Sequence, residues 1–179
     1  TSTLQQEASR KFGMGAKQCM SVAQRLYEAG FITYMRTDGI DMAPEAVTGA
    51  RDAITAKFGD NYVPKDARIY KNKAKNAQEA HECIRPTDMM VDATQAEIKD
   101  ADQRKLYDLI WKRTLASQME AARMERTTVD VGSKDGQVML RANGQVMLFD
   151  GFLRVYEEGR DDSTDEDDKR LPQIEQGEV

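Results

Sequence analysis

The first two-thirds of the chain carry apolar residues at helical spacing, and part of the remainder alternates between apolar and polar positions. Ser2 and Thr3 each stand three residues before a glutamine, which is a capping-box arrangement. This arrangement predicts a first helix running to about Phe12, with Gly13 ending it. The spacing of the next apolar positions predicts a second helix over residues 16–29.

A short strand is predicted directly after the second helix. Gly30 is well placed to end that helix, and residues 31–34 are all β-branched or aromatic. Such a composition is typical of a strand. Two short helices followed by a strand suit a helix-turn-helix with a wing.

Two longer helices are predicted further along the sequence. Pro44 suits the first turn of the third helix, and Gly59 ends it. The fourth helix is expected over about 102–122, with Asp100 or Asp102 as its cap. Capping explains these two acidic residues, so we expect no metal site there. The apolar face of the fourth helix is marked by Leu106, Leu109, Ile110, Leu115 and Met119.

Beyond residue 123 the sequence reads as a β-meander. Alternating positions predict strands over 127–131, 138–141 and 146–149. The dipeptides Asp135-Gly136 and Asn143-Gly144 separate these strands and are strong hairpin signals.

Together the predicted elements indicate an α+β fold that is mainly α. A helical, winged-helix-like domain is expected over residues 1–122, followed by part of an antiparallel β domain over residues 123–179. Near residues 160–170 the chain is acidic and has almost no apolar side chains to bury, so we expect a solvated loop.

The net charge of −5 does not argue against binding to nucleic acid. Of the 31 acidic and 26 basic residues, ten acidic and three basic residues lie in the last stretch, 157–179. Residues 1–156 therefore hold 23 basic and 21 acidic residues and are mildly basic. Their basic side chains include a cluster formed by Lys65, Arg68, Lys71, Lys73 and Lys75.

Composition also excludes several classes of protein. No apolar run approaches the ~20 residues that a membrane span needs. Cys19 and Cys83 are the only cysteines, too few for a disulfide framework and without the spacing of a zinc site. We therefore expect a cytoplasmic protein without a membrane segment or a bound metal.

Three side chains in residues 31–38 combine into a candidate nucleophilic site. Tyr34, Arg36 and Asp38 alternate in a segment predicted to be extended, so they should share one face. A phenol can attack a phosphodiester while a guanidinium pairs with the phosphate oxygens and a carboxylate holds the guanidinium. Forming a phenolate from free tyrosine near pH 7 costs about 4 kcal/mol. One cation at about 4 Å supplies a Coulomb energy of similar size before desolvation.

Less specific interpretations of these residues stay open on spacing alone. Tyr34 could be a core aromatic residue of a strand, with Arg36 and Asp38 forming an ordinary surface ion pair. His81, the only histidine, lies among groups that could bind or protonate a phosphate, but a single histidine is often structural.

Four segments of the chain resemble the bacterial type IA DNA topoisomerases in order and in spacing. The resemblance covers nearly the whole chain, and the motif at residues 31–38 is its most specific part. Gly39 stands where that family often has serine, and Cys83 stands where alanine is usual, but both residues are small. The four segments are residues 1–8 (TSTLQQEA), 31–38 (FITYMRTD), 76–87 (NAQEAHECIRPT) and 151–156 (GFLRVY).

The resemblance implies a reaction and a role for each candidate residue. Tyr34 would attack single-stranded DNA and form a 5′-phosphotyrosine. Another strand would pass before the break is resealed, which relaxes negatively supercoiled DNA without ATP. Arg36 would stabilise the phosphate charge, and Asp38 would support Arg36. His81 would contact the scissile phosphate, and Arg85 is a weaker candidate for a DNA backbone contact.

The resemblance also implies what this chain lacks. The metal-binding N-terminal catalytic domain of the family has no counterpart here, so no cofactor is expected in this chain, and Mg²⁺ is expected in the full-length enzyme. The chain alone should be inactive. Its expected partners are that N-terminal domain, single-stranded DNA and negatively supercoiled DNA, in the cytoplasm and associated with the nucleoid.

Two other functions stay open. A non-enzymatic winged-helix module would bind DNA with Tyr34 in its core. A protein-interaction domain would not bind single-stranded DNA at low salt.

Overall fold

The computed structural model describes residues 1–70, 82–133 and 135–159. Within these ranges it contains helices followed by a two-stranded antiparallel sheet, which confirms the predicted α+β, mainly α class. The elements are α1 (Ser2–Phe12), α2 (Ala16–Glu28), α3 (Pro44–Phe58), a 3-10 helix (Asp60–Tyr62), α4 (Ala101–Gln118), β1 (Arg123–Gly132), β2 (Met139–Phe149) and a second 3-10 helix (Gly151–Arg154).

The described residues form two units. The helical unit comprises Thr1–Glu120 and residues 152–159, and the β unit comprises Ala121–Gly151. The segment after residue 151, which the sequence pattern grouped with the β region, thus belongs to the helical unit. There the Phe152 amide donates to the Glu120 carbonyl at 2.9 Å.

The start of α1 differs from its sequence pattern. Thr1 is the N-cap residue, and no side chain caps the helix. Ser2 and Thr3 lie inside the first turn, so the predicted capping box is wrong. The end of the helix is as predicted, because Gly13 adopts the left-handed conformation that ends many helices.

The end of α2 is closed by two hydrogen bonds in a Schellman arrangement. The Gly30 amide donates to the Tyr27 carbonyl, and the Phe31 amide donates to the Leu26 carbonyl, both at 2.9 Å. Gly30 takes a φ of 79°, which a residue with a side chain adopts only with strain. The helix therefore ends at a fixed point, a few residues before Tyr34.

The predicted strand over residues 31–34 is wrong as a regular element. Among the described residues this segment forms only an isolated antiparallel bridge, between Ile32 and Pro86. Proline has no amide hydrogen to donate, so a ladder is not readily continued through Pro86. The wing strand expected at this position is replaced by an irregular extended segment.

The core of the helical unit lies among α1, α2, α3 and α4 and the segments that join them. The predicted apolar face of α4 is buried along its full length. α3 faces it with the small residues Ala46, Ala50 and Ala53, which allow close packing. α4 ends at Gln118, four residues earlier than expected, and the Glu120 amide instead donates to the Tyr62 carbonyl at 2.8 Å. Among the described helices, none has the length and hydropathy needed to cross a membrane.

The irregular segment before α4 is attached to that helix by two aromatic side chains. The Tyr107 hydroxyl donates to the Val91 carbonyl at 2.7 Å, and the Trp111 Nε1 donates to the Met89 carbonyl at 2.9 Å. Both rings are buried, so the bonds satisfy polar atoms that are shielded from water. This segment follows residues 82–87 and fixes their position against the core.

A buried carboxylate attaches the segment after Phe152 to α1. The Tyr156 hydroxyl donates to Glu7 Oε2 at 2.6 Å, and the Gly159 amide donates to the same oxygen at 3.1 Å. Burial would raise the pKa of Glu7, but these hydrogen bonds bring it below its usual value. Burial and the bond to Glu7 raise the pKa of Tyr156 to about 12, against the opposing effect of Arg113.

The β unit is one long hairpin. β1 and β2 pair from Arg123–Phe149 to Gly132–Met139, and Asp135-Gly136 lies in the turn, as predicted. The second predicted turn is wrong: Asn143 and Gly144 lie within β2, opposite Thr128 and Thr127. Pairing along the full length of β1 outweighs the local turn preference of Asn-Gly.

The two ends of the hairpin approach each other closely at Gly151. Gly151 has a φ of 50°, and a Cβ atom at this position would lie 2.6 Å from the backbone of Ala121. A Cβ atom does not approach non-bonded backbone atoms so closely, so only glycine fits here without displacing the backbone.

The ion pair between Lys57 and Asp92 should contribute a pH-dependent part of the stability. Lys57 Nζ lies 2.8 Å from Asp92 Oδ2, with 19% and 24% of the two side chains exposed. Burial alone would raise the pKa of Asp92, but hydrogen bonds from Lys57 and Thr94 lower it to about 2. Because the folded-state pKa is depressed, this stabilisation is present above about pH 4 and is lost as the pH falls toward 2.

We therefore expect Asp92→Asn to lower the free energy of unfolding at pH 7 by about 1–2 kcal/mol. The variant should also lose part of the decline in stability that the wild type shows between about pH 4 and pH 2. Urea unfolding followed by circular dichroism across this range measures both effects. Asp108→Asn is the matched control, since Asp108 forms an ion pair within α4, with Lys112. Identical pH profiles for Asp92→Asn and wild type would contradict the assignment.

Candidate functional site

Side chains of the segment around Tyr34 alternate between exposed and buried. Tyr34 is 37% exposed, and Arg36 and Asp38 are also exposed. Met35 and Thr37 between them are only 3% and 5% exposed. The exposed side therefore carries a phenol, a guanidinium and a carboxylate, and the alternative in which Tyr34 is a core residue is wrong.

Thr1 anchors the C-terminal part of this segment. Its hydroxyl donates to the Met35 carbonyl at 2.8 Å and accepts a hydrogen bond from the Thr37 amide at 3.1 Å. The Thr37 hydroxyl in turn accepts from the Gly39 amide at 2.9 Å. These contacts satisfy backbone groups that a regular strand would have paired with a neighbouring strand.

Thr33 anchors the other end of the segment to residues 82–87. Its amide donates to the Arg85 carbonyl at 2.9 Å. Its hydroxyl donates to the Cys83 carbonyl at 2.8 Å and accepts from the Arg85 amide at 2.9 Å. The Thr87 amide donates to the Phe31 carbonyl at 3.0 Å, so the two motif segments lie side by side. Neither the spacing nor the composition of the sequence predicted this role for Thr33.

Arg85 is engaged by a neighbouring carboxylate. Its Nε and one terminal nitrogen donate to the two oxygens of Glu82 at 2.6 Å and 3.2 Å. The Ala43 amide donates to Glu82 at 3.3 Å. The hydrogen bond from Arg85 holds the pKa of Glu82 below its usual value, so the pair stays charged near neutral pH. In this arrangement the Arg85 guanidinium stabilises the conformation of residues 82–87.

The remaining candidates are placed less completely. His81, together with Lys71, Lys73 and Lys75, lies outside the described residues. Within the described part, no ion pair joins Arg36 to Asp38, although both lie on the exposed side of the segment.

Two other sequence-level expectations concern metals and cysteines. In residues 1–70, 82–133 and 135–159, no three His, Cys, Asp or Glu side chains cluster as metal ligands would. Asp100 caps α4 by accepting from the Gln103 amide at 2.8 Å, as predicted. Burial raises the pKa of the Cys83 thiol, so this thiol is protonated near neutral pH and acts as a small packing residue.

A second tyrosine contacts the ring of Tyr34. The ring centroids of Tyr27 and Tyr34 are 5.4 Å apart, and the ring planes meet at 71°. Tyr27 lies in the last turn of α2 and is 43% exposed. The helical spacing of the sequence marked Tyr27 only as an apolar position of α2.

Comparison with known proteins assigns the chain to a family. The model of a family described as DNA topoisomerase matches residues 1–179. Over its full length the chain is 52% identical to DNA topoisomerase 1 of Zymomonas mobilis and covers 15% of that protein. It is 49% identical over its full length to DNA topoisomerase 1 of Streptomyces coelicolor, covering 19% of it. Over 99% of its length it is 46% identical to the Rickettsia conorii protein of the same name, covering 24%.

The fold is also similar to a solved structure. The full-length topoisomerase I from Thermotoga maritima superposes with a TM-score of 0.75 and 38% identity, over 89% of this chain and 28% of that one. The chain thus spans between 15% and 28% of the length of these relatives. Because one family model matches it from end to end and relatives share about half of its residues, the chain belongs to the bacterial DNA topoisomerase family.

Proposed function

We propose that this chain supplies the nucleophile of a type IA DNA topoisomerase. The Tyr34 phenolic oxygen forms a bond to a backbone phosphorus, and its proton leaves. The bond from that phosphorus to the 3′-oxygen breaks, and the 3′-oxygen takes up a proton. The product is a 5′-phosphotyrosine with a free 3′-hydroxyl. Religation reverses these steps, so the energy of the broken bond is conserved and no ATP is needed.

The observation that carries this proposal is the exposed phenol on an anchored segment. Tyr34 is solvent-accessible, while Thr33 and Thr37 on either side of it hold the backbone through hydrogen bonds. A nucleophile on a backbone held in this way needs little reorganisation to meet a phosphate. The family assignment supports DNA as the substrate.

Arg36 is the proposed electrostatic partner of the phosphate. It is exposed on the same side of the segment as Tyr34, and a guanidinium can pair with two phosphate oxygens at once. Asp38 is proposed to hold Arg36 once DNA is bound. His81 is proposed to contact the scissile phosphate. Arg85 is proposed mainly to stabilise the conformation of residues 82–87 through its ion pair with Glu82. Contact with the DNA backbone is proposed as a lesser role of Arg85.

Mg²⁺ does not fit the residues that the structure describes. No cluster of three acidic, histidine or cysteine side chains occurs among them. We propose that any Mg²⁺ of the full-length enzyme binds in the N-terminal catalytic domain, and we assign no step of this chain to it. We propose that the catalytic site of this chain is incomplete and needs the N-terminal catalytic domain as its partner.

The proposed DNA partners are single-stranded and negatively supercoiled DNA. Single strands are more accessible in underwound DNA, and residues 1–156 are mildly basic. We propose that the enzyme works in the cytoplasm on nucleoid DNA.

Tyr34→Phe in the full-length enzyme should abolish covalent attachment to DNA, because the attacking oxygen is removed. Labelled single-stranded oligonucleotide and a denaturing gel detect the adduct, and plasmid relaxation follows the complete reaction. Tyr70→Phe is the control, since Tyr70 is also an exposed tyrosine. An adduct that persists in Tyr34→Phe would mean that another residue is the nucleophile, and no adduct even in the wild type would favour a DNA-binding module.

Arg36→Ala should slow cleavage at saturating DNA by roughly 100-fold, the usual effect of removing a group that stabilises transition-state charge. Thermal stability should change little, since Arg36 is exposed. Single-turnover cleavage rates measure the first effect, and thermal melting measures the second. Arg25→Ala removes the same charge from an exposed position on α2 and should slow cleavage by less than about threefold. Equal rates for the two variants would argue against the role of Arg36.

The chain alone should form no adduct, whereas mixing it with the separately expressed N-terminal remainder and Mg²⁺ should restore adduct formation. Circular dichroism and size-exclusion chromatography check that both pieces are folded and associate. The Tyr34→Phe chain in the same mixture provides the negative control. An adduct formed by the chain alone would show that its own residues complete the reaction.

A further inference from the structure

The ring of Tyr34 meets the ring of Tyr27 in an edge-to-face arrangement. The centroid separation of 5.4 Å and the interplanar angle of 71° lie in the range that aromatic quadrupoles favour. Both rings are partly exposed, so this pair lies on the surface that DNA would approach and is not part of the core.

Tyr27 lies at the end of α2, which two backbone hydrogen bonds close. Its carbonyl accepts the hydrogen bond from Gly30 that closes α2, and Leu26 beside it is fully buried. The backbone of Tyr27 is therefore fixed by a helix end that is itself anchored in the core.

Tyr34 lies in an irregular segment whose threonine anchors hold only its backbone. Those hydrogen bonds involve Thr33, Thr37 and backbone atoms, and none of them is made by the Tyr34 side chain. A change of χ1 moves a phenolic oxygen by several ångströms, whereas attack needs it within about 3–3.5 Å of the phosphorus. Contact with a ring on a fixed helix restricts that rotation.

We propose that Tyr27 is a positioning residue for the cleavage reaction, whose ring holds the Tyr34 side chain in the orientation that attacks the phosphate. This inference rests on the proposed role of Tyr34 as nucleophile. Tyr27 acts through its ring and not through its hydroxyl, and it acts on the rate of the chemical step more than on the affinity for DNA.

The test uses the full-length enzyme with Tyr27→Leu and Tyr27→Phe. Single-turnover cleavage of a labelled oligonucleotide at saturating enzyme gives the rate of the chemical step. Fluorescence anisotropy in the cleavage-deficient Tyr34→Phe background gives the Kd for the same oligonucleotide. We expect Tyr27→Leu to slow cleavage by about tenfold, the upper end of what an edge-to-face pair contributes. Its Kd should stay within about twofold of the Kd measured with Tyr27 intact, and Tyr27→Phe should cleave at nearly the wild-type rate.

Several results would overturn the proposal. An unchanged cleavage rate in Tyr27→Leu would show that the ring is not needed. A weakened Kd with a normal rate at saturation would make Tyr27 a stacking platform for a DNA base. A rate in Tyr27→Phe as slow as in Tyr27→Leu would implicate the hydroxyl.

Two controls keep these outcomes separable. If Tyr27→Leu melts several degrees below wild type, Tyr27→Met replaces it, since it also removes the ring and keeps a good helix former. Tyr34→Phe distinguishes the proposed function from the positioning role of Tyr27. An adduct formed by Tyr34→Phe would defeat the proposed function, whereas an inactive Tyr34→Phe with a normal Tyr27→Leu would defeat only the positioning role.

Discussion

A chain segment that is extended but unpaired must find partners for its backbone amides and carbonyls outside regular secondary structure. The segment around Tyr34 faces this constraint, because proline in the neighbouring segment limits their pairing to a single bridge. At one end of the segment, Thr33 forms hydrogen bonds with residues 82–87. At the other end, the Thr37 amide donates a hydrogen bond to the Thr1 hydroxyl. The exposed side of the segment carries the side chains of Tyr34, Arg36 and Asp38. The conformation of the segment is fixed by the hydrogen bonds of Thr33 and Thr1, which lie outside its exposed side.

The hydrogen bonds of Thr33 and Thr1 hold the segment in place only if the residues that they contact are themselves fixed. The Thr87 side of the pairing continues into the irregular segment that Tyr107 and Trp111 hold against α4. Lys57 ties the same segment to α3 through Asp92. The hydrogen bonds that close α2 fix the position of Phe31, where the segment begins. The surface around Tyr34 is therefore connected to three helices of the buried core by short chains of hydrogen bonds.

Helices were predicted well from the sequence because their signals are local. Pro44, Gly13 and Gly30 mark helix ends through backbone preferences that act within one turn. The exposed side chains of the candidate site could also be expected, since alternation along an extended segment separates its two faces. Motif resemblance pointed to the same residues.

The features that the sequence did not predict depend on distant partners. Thr33 bonds to residues 50 and 52 positions away, and Glu7 meets Tyr156 at a separation of 149. No local spacing reports such pairs. Asn143-Gly144 shows the opposite failure, because a strong local turn signal is overridden by pairing along the whole of β1. The prediction of a strand over residues 31–34 was wrong because the composition of these residues does not indicate that Pro86 lies opposite Ile32.

The hydrogen bond between Phe152 and Glu120 also bears on how modular this chain is. The chain leaves the helical unit after Glu120 and returns to it at Phe152, and a hydrogen bond joins these two residues. For the helical unit, the whole hairpin is therefore equivalent to one closed loop. The entropy of closing a loop grows only with the logarithm of its length. A change in the length of the inserted segment therefore costs the helical unit little free energy. A compact helical body of this kind can acquire, lengthen or exchange its insertion while the surface around Tyr34 stays the same.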